Sequence, residues 1–369
     1  MADKMTTITD TDTSLNIFLS KPDRHAPIQA SGVIGWLRLN LFNGWFNSIL
    51  TVFCLCFLWK TLPPVISWAF IDATWVDNAG HADGAGWGFI IEKFRVLMVG
   101  VYPEAFLMRP VLATVLFGFL CCLTFFRKLS TFKLMGLWLI LPFPVYWLIN
   151  GGMGLEFVDQ SLWGGLMLSM LLAVVGVLFS LPLGVVLALG RRSRFAAIKS
   201  FCVGFIELIR GVPLITILFM ASVMLPIFLP EGVNINNLLR VQIGIIFFSS
   251  AYMAEVVRGG LQAVSPGQTE AAQSLGLKDW QITALVVLPQ ALRHVIPSLI
   301  GRCVALFKDT SLVIIVGLLD FLGMIKASAQ DPEWLGHDVE AYVFCALIYW
   351  IICFSISRYG RSIEKNSEW

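Results

Sequence analysis

Apolar residues gather into eight long runs, at roughly 45–68, 110–126, 134–150, 163–189, 201–229, 240–257, 294–319 and 341–357. A helix needs about 20 consecutive apolar residues to cross a bilayer. The pattern therefore predicts an all-α integral membrane protein with about eight transmembrane helices. Lys60 and Pro63-Pro64 interrupt the first run and leave its end open. The fifth carries Pro213, Pro226 and Pro230, so that helix is expected to kink or break.

The polar stretch 259–290 separates runs six and seven. Within it Ser265-Pro266-Gly267-Gln268 reads as a helix start. Ser265 suits the cap, Pro266 the first helical position, and Gln268 the third residue of a capping box. Gly276 suits the left-handed residue just past the helix end. The expected helix is about ten residues long, roughly 15 Å. It should lie at a membrane surface and present Ala271, Ala272 and Ser274, with almost no bulk. A second short helix is expected to follow, capped by Asp279 and stopping near Pro289. Small residues on an exposed helix suit close docking into another protein's groove. An ordinary amphipathic surface loop is the plainer alternative.

Composition agrees with the membrane reading. The chain is 57% hydrophobic and 14% charged, against roughly 25% charged in soluble domains. Net charge of +2 says nothing about partners, and no nucleic-acid partner is expected. The distribution of charge is informative. Loops with Lys133, with Arg191, Arg192, Arg194 and Lys199, with Arg258, Lys278 and Arg293, and with Arg358, Arg361 and Lys365 fall on one side. Arg127 and Lys128 belong to the first of these. Loops with Asp72, Asp77 and Asp83, with Glu156 and Asp159, with Glu231, and with Asp331, Glu333, Asp338 and Glu340 fall on the other. Eight spans with both termini cytoplasmic satisfy the positive-inside rule.

Residues 1–40 read as a cytoplasmic tail with no signal peptide. The external stretch 69–109 is rich in Gly, Trp and Asp and reads as an interfacial connector with aromatic anchors. All eight cysteines sit in apolar runs without Cys-x-x-Cys spacing, and the four histidines are scattered. Neither a metal site nor a cofactor is expected.

Several charges lie inside apolar runs. Glu207 and Arg210, and Glu255 and Arg258, stand three residues apart and can pair on one helical face. They read as self-satisfied interfacial pairs, with a gate or substrate contact as the functional alternative. Lys308-Asp309-Thr310-Ser311 lies deeper. Entry near His294 puts Lys308 about 21 Å into a core roughly 30 Å thick, where a charge costs about 3 kcal/mol or more. Lys308 should face a protein interior or a wet cavity. Adjacent Asp309 points about 100° away and cannot simply neutralise it.

Glu270-Ala271-Ala272, then Gly276, then Val286 and Leu288-Pro289, resembles in every element the EAA loop of bacterial ABC importer permeases. In that family the loop forms the coupling helix, which seats in a cleft of the ATP-hydrolysing subunit. Residues 155–369 resemble the five-span core of polar amino-acid ABC permeases, with 259–290 as the coupling loop. Residues 41–154 resemble the three-span extension of general L-amino-acid permeases. Glu207-Leu-Ile-Arg210-Gly-Val-Pro213-Leu, Ala251-Tyr252-Met253-Ala254-Glu255-Val-Val-Arg258-Gly-Gly and Lys308-Asp309-Thr310-Ser311-Leu312 also match family blocks. Gly301 departs from the pattern, which usually has Asn there.

The resemblance implies an ATP-driven importer permease for L-amino acids in the inner membrane. Its implied partners are an ABC ATPase, a second permease, a periplasmic binding protein and membrane lipid. No Gly-x-x-x-x-Gly-Lys-Ser/Thr sequence occurs, so ATP hydrolysis is expected on a separate subunit. An ion-coupled carrier would act alone but lacks the matching internal repeat. A membrane enzyme lacks a catalytic constellation.

Overall fold

The computed structural model describes residues 32–75, 84–126, 130–230, 232–233 and 235–365. The expected tail before residue 32 and the loop charges Asp77, Asp83, Arg127, Lys128 and Glu231 lie outside them. Two compact units separate between Ile71 and Asp72. The first holds α1 (Gly32–Asn40) and α2 (Trp45–Ile66). Pro63 and Pro64 sit inside α2, and a wider π turn, Ser67–Ile71, follows them. That widening suits a helix that has lost two donors.

The second unit begins with a helix that the aromatic-anchor reading did not foresee, α3 (Gly88–Val99). Then come α4 (Met108–Phe125), α5 (Thr131–Ile140), α6 (Pro142–Asn150), α7 (Gly165–Arg191) and α8 (Ala196–Arg210). α9 (Leu214–Phe219), α10 (Leu225–Phe228), α11 (Asn237–Ala263), α12 (Pro266–Ser274), α13 (Asp279–Gln281) and α14 (Leu288–His294) follow. α15 (Ile296–Asp309), α16 (Phe321–Ala329) and α17 (Asp338–Lys365) close the chain.

The all-helical expectation holds. Six helices among the described residues are long and apolar enough to cross a membrane, or seven if the bent α8–α10 pair is one span. That pair turns by 105° at Gly211–Pro213, a break the prolines predicted. Run 294–319 does not form one continuous α-helix. α15 ends at Asp309, and a 3-10 helix carries the chain on to Val316. The Thr310 and Ser311 hydroxyls bond back to the Phe307 and Lys308 carbonyls, both at 2.8 Å. Such back-bonding from Ser and Thr competes with the regular ladder.

The frame of this unit is α7 against α11. Lipid supplies little hydrophobic drive between spans, so packing depends on close approach through small residues. On α7 a buried stripe of Gly165, Ser169, Ala173, Gly176, Ser180, Gly184 and Ala188 recurs every three or four positions. At Gly184 an added Cβ would sit 2.6 Å from the Met253 Cβ, so only glycine permits this crossing. Asp320, fully buried, caps α16 through the Leu322 and Gly323 amides and also accepts from the Tyr349 hydroxyl at 3.3 Å. The end of α17 lies beside the start of α15, since a Cβ on Gly360 would meet Ile300.

At the opposite end α3 packs into a cluster with Phe321, Met324 and Trp334. Lys93 of α3 donates to Asp331 at 2.7 Å, and the Trp334 indole donates to Glu92 at 3.2 Å. The Lys93 hydrogen bond holds the Asp331 carboxyl below the usual carboxylate range, and Asp331 in turn raises Lys93. A depressed Asp331 stabilises above its ordinary value and loses that contribution as pH falls through the folded one. A raised Lys93 loses its share only in strong alkali. Amide protection of Gly88–Val99 should therefore be flat from about pH 5 to 9 and drop in acid. Hydrogen exchange, corrected for intrinsic rates, reads this. The same acid-induced loss in Lys93→Met would show that the clasp is not its cause.

Candidate functional site

The polar stretch after α11 folds into two short helices that lie across one end of the spans. α12 starts with Ser265 at the cap position, but the Ser265 side chain makes no capping bond. The expected box fails because the Gln268 side chain instead accepts from Gln290 at 3.1 Å. The other end matches the expectation. Gly276 has φ +77°, its N–H reaches the Gln273 carbonyl at 2.9 Å, and the Leu277 N–H reaches Ala272 at 3.2 Å. These two bonds form a Schellman motif, which satisfies carbonyls that the helix end would otherwise leave orphaned.

The second helix differs from its forecast at both ends. Its cap position is Lys278, and Asp279 is already helical, because the Gln281 side chain accepts the Lys278 N–H at 2.9 Å. It does not stop near Pro289 but runs on through α14 to His294. A π turn, Ile282–Val287, directly precedes Leu288-Pro289 and absorbs the missing proline donor.

Burial divides the small residues of α12. Ala271 and Ser274 are exposed, as is Glu270. Ala272 is 3% exposed and packs with Leu187, Ala188, Ile206, Val257 and Ala291, so it is an anchor and is not presented outward. Gly260 permits the close seat of α14, since a Cβ there would lie 2.5 Å from the Ala291 carbonyl oxygen. Leu288 is half-buried and Pro289 exposed. Bulk that the sequence reading overlooked surrounds the small face, with Leu275 at 81% exposure and Trp280 at 66%.

A charge network lies directly beneath. Glu255 accepts from Arg258 at 2.9 Å, the i,i+3 pair that the spacing predicts. Glu207 and Arg210 do not pair with each other. Arg191 at the end of α7 bridges Glu207 at 3.0 Å and Glu255 at 2.6 Å, while Arg210 approaches Glu255 at 3.6 Å. Glu255, 15% exposed, is thus the hub of three guanidiniums. Arg191 was legible only as a loop base, because its partners are 16 and 64 residues away.

The network continues toward α15. Arg210 lies 5.6 Å over the Tyr252 ring, and Arg302 lies 4.4 Å over the same ring. Cation–π contacts of this kind hold guanidiniums in place without neutralising them. The buried Arg302 Nε has no hydrogen-bond partner among the described residues. Lys308 is exposed on this chain, Asp309 and Ser311 are half-buried, and Thr310 is 1% exposed. Among the described residues Lys308 has no ion pair, so no bridge within the chain neutralises it. A Cβ at Gly301 meets open space, so an Asn there would project away from this chain. No cluster of His, Cys, Asp or Glu among the described residues could hold a metal ion.

Residues 180–367 match the family described as "Binding-protein-dependent transport system inner membrane component". The chain is 48% identical to the inner membrane amino-acid ABC transporter permease protein YhdY of Escherichia coli K12, over 95% of this chain and 97% of that protein. It is 34% identical to the glutamate/glutamine/aspartate/asparagine transport system permease protein BztC of Rhodobacter capsulatus, over 93% and 95%. A solved structure described as "Crystal structure of an amino acid ABC transporter with histidines" aligns at 29% identity and TM-score 0.49, covering 55% of this chain and 92% of that one.

Proposed function

The chain belongs to the family of binding-protein-dependent transport system inner membrane components, and on that premise we propose that it is the permease subunit of an ATP-driven importer of L-amino acids. The observation that carries the reading is the α12–α14 unit, anchored by its buried face with a small face left outward. Glu270, Ala271, Gly276, Leu288 and Pro289 serve ATPase coupling, Leu275 and Trp280 add apolar anchors, and Ala272 holds the unit to the spans. ATP is hydrolysed on the partner ATPase. A second permease completes the pathway, and a binding protein delivers substrate from the periplasm. Residues 155–369 form the transport core, residues 41–154 the extension, and both termini face the cytoplasm.

A cysteine in place of Ala271 should cross-link to the ATPase in native membranes, and one in place of buried Ala272 should not. Equal cross-linking at both positions, or at neither, would remove α12 from the docking surface. A protease-sensitive tag at either terminus should survive digestion of intact cells.

Arg302 and Lys308 supply positive potential to a crossing α-carboxylate, Asp309 and Thr310–Ser311 supply acceptors, and the Arg191–Glu207–Arg210–Glu255–Arg258 network forms the cytoplasmic gate. An exposed lysine in a span-like helix needs a wet or protein environment, and the face opposite a second permease provides one. Lys308→Met should leave complex yield unchanged and cut uptake about tenfold or more, equivalent to roughly 1.4 kcal/mol. Uptake equal to wild type would place Lys308 away from the pathway. Loss of assembly would make it an intersubunit bridge.

A further inference from the structure

α7 is apolar all round, and only one of its faces is used for packing on α11. The other, through Met167, Met170 and Val174, lines a half-open apolar groove of about 440 Å³ whose remaining walls are α3, α4, the α5–α6 corner at Leu141 and α6. Its wall residues Phe94, Val111 and Val115 are 52%, 51% and 60% exposed, so the groove opens onto the face of the span that lipid reaches. The volume falls within the roughly 300–1,000 Å³ of ligand pockets. Thr114 contributes the one polar side chain in the wall, and its hydroxyl already donates to the Pro110 carbonyl at 2.9 Å. A buried water needs two to four polar partners, and a zwitterionic amino acid needs more. The wall suits neither.

Position narrows the occupant further. The α7 residues in the wall run from Leu166 to Val175, the first roughly 15 Å of the span, half of a hydrocarbon core about 30 Å thick. This is the half remote from the α12–α14 unit, because α7 reaches that unit at its other end. One residue before the wall, at the start of α4, stands Arg109. It lies 4.2 Å over the Phe106 ring and donates to the Glu156 carbonyl at 2.6 Å. No carboxylate pairs with it among the described residues, and a guanidinium retains further donors suited to a phosphate.

We propose that the groove between α3, α4, α6 and α7 binds one acyl chain of a glycerophospholipid, with Arg109 holding its phosphate. The hydrocarbon fills a groove that no polar solute suits, and Arg109, next in the chain to the wall residue Pro110, fits an anionic headgroup region. The extension would then be joined to the transport core through lipid as well as through side chains. This inference rests on the chain spanning a membrane and not on which solute it moves.

The test is native mass spectrometry of the full chain, purified with its partners in mild detergent from membranes of known phospholipid content. One phospholipid per permease chain should survive purification. Ala113→Phe, which fills the groove from α4, should lower that retained lipid at least fivefold without lowering the melting temperature. Arg109→Gln should lower it less. Phe119→Ala, on an exposed face of α4, should leave it unchanged. If Ala113→Phe does not fold, Val175→Phe fills the same space from α7 and decides the matter. Retention in the groove-filled variant equal to wild type would overturn the proposal. So would wild-type chains that carry no lipid, or lose it equally in Phe119→Ala.

Discussion

Gly276→Val should leave the chain in the membrane and abolish both ATPase co-purification and uptake. Gly276 ends α12 at φ +77°, a conformation that costs an ordinary L-residue about 1–2 kcal/mol and a β-branched one more. Space is not the obstacle, since a Cβ there meets nothing within 4 Å. The penalty falls on the Schellman bonds from Gly276 and Leu277, which fix the angle between α12 and the helix beginning at Asp279. Spans depend on the α7–α11 crossing and should not register the change. Gly276→Asn, which tolerates the left-handed region better, should retain most coupling. Wild-type co-purification and transport in the valine variant would detach α12 from energy coupling.

The second large effect is on stability. Glu255→Ala leaves Arg191, Arg210 and Arg258 facing one another without their shared acceptor. Breaking a fully buried ion pair costs about 3–5 kcal/mol. These arginines are between 26% and 35% exposed, so water recovers part of the loss. A destabilisation of about 2–4 kcal/mol is expected, read as a lower melting temperature and yield of the complex. Arg191→Ala combined with Glu255→Ala should cost clearly less than the sum of the singles, because the two share one interaction. Strict additivity would mean that the 2.6 Å contact carries no coupling energy.

The parts of this chain that the sequence revealed share a physical trait: their causes are local. An apolar run of span length admits little besides a helix in lipid. A Ser-Pro start and a glycine stop delimit α12 wherever it lands. Prolines 213 and 226 announce the broken span for the same reason. Misreadings arose where distant residues decide the outcome. Ala271 and Ala272 are neighbours in sequence and point 100° apart on a helix, so only the packing of α7, α8 and α11 decides which is buried. Glu207 stands at pairing distance from Arg210 by spacing, yet Arg191 competes for it from the end of another span. α3 sits in a stretch whose glycines and tryptophans resemble a connector, and its helical face becomes visible only against Trp334 and Phe321. Lys308 followed a third route. Depth from helical rise called for a protein interior or a wet cavity, and on this chain Lys308 is exposed, so what faces it lies outside the chain.

Reconstitution offers the most direct measurement of the importer reading. The chain, its ATPase, a second permease and the binding protein would be incorporated into liposomes and loaded with a radiolabelled L-amino acid on the binding-protein side. Uptake should require ATP together with all components, and Gly276→Val should abolish it while the proteins remain in the bilayer. Uptake by this chain alone, driven by a sodium or proton gradient and indifferent to ATP, would contradict it.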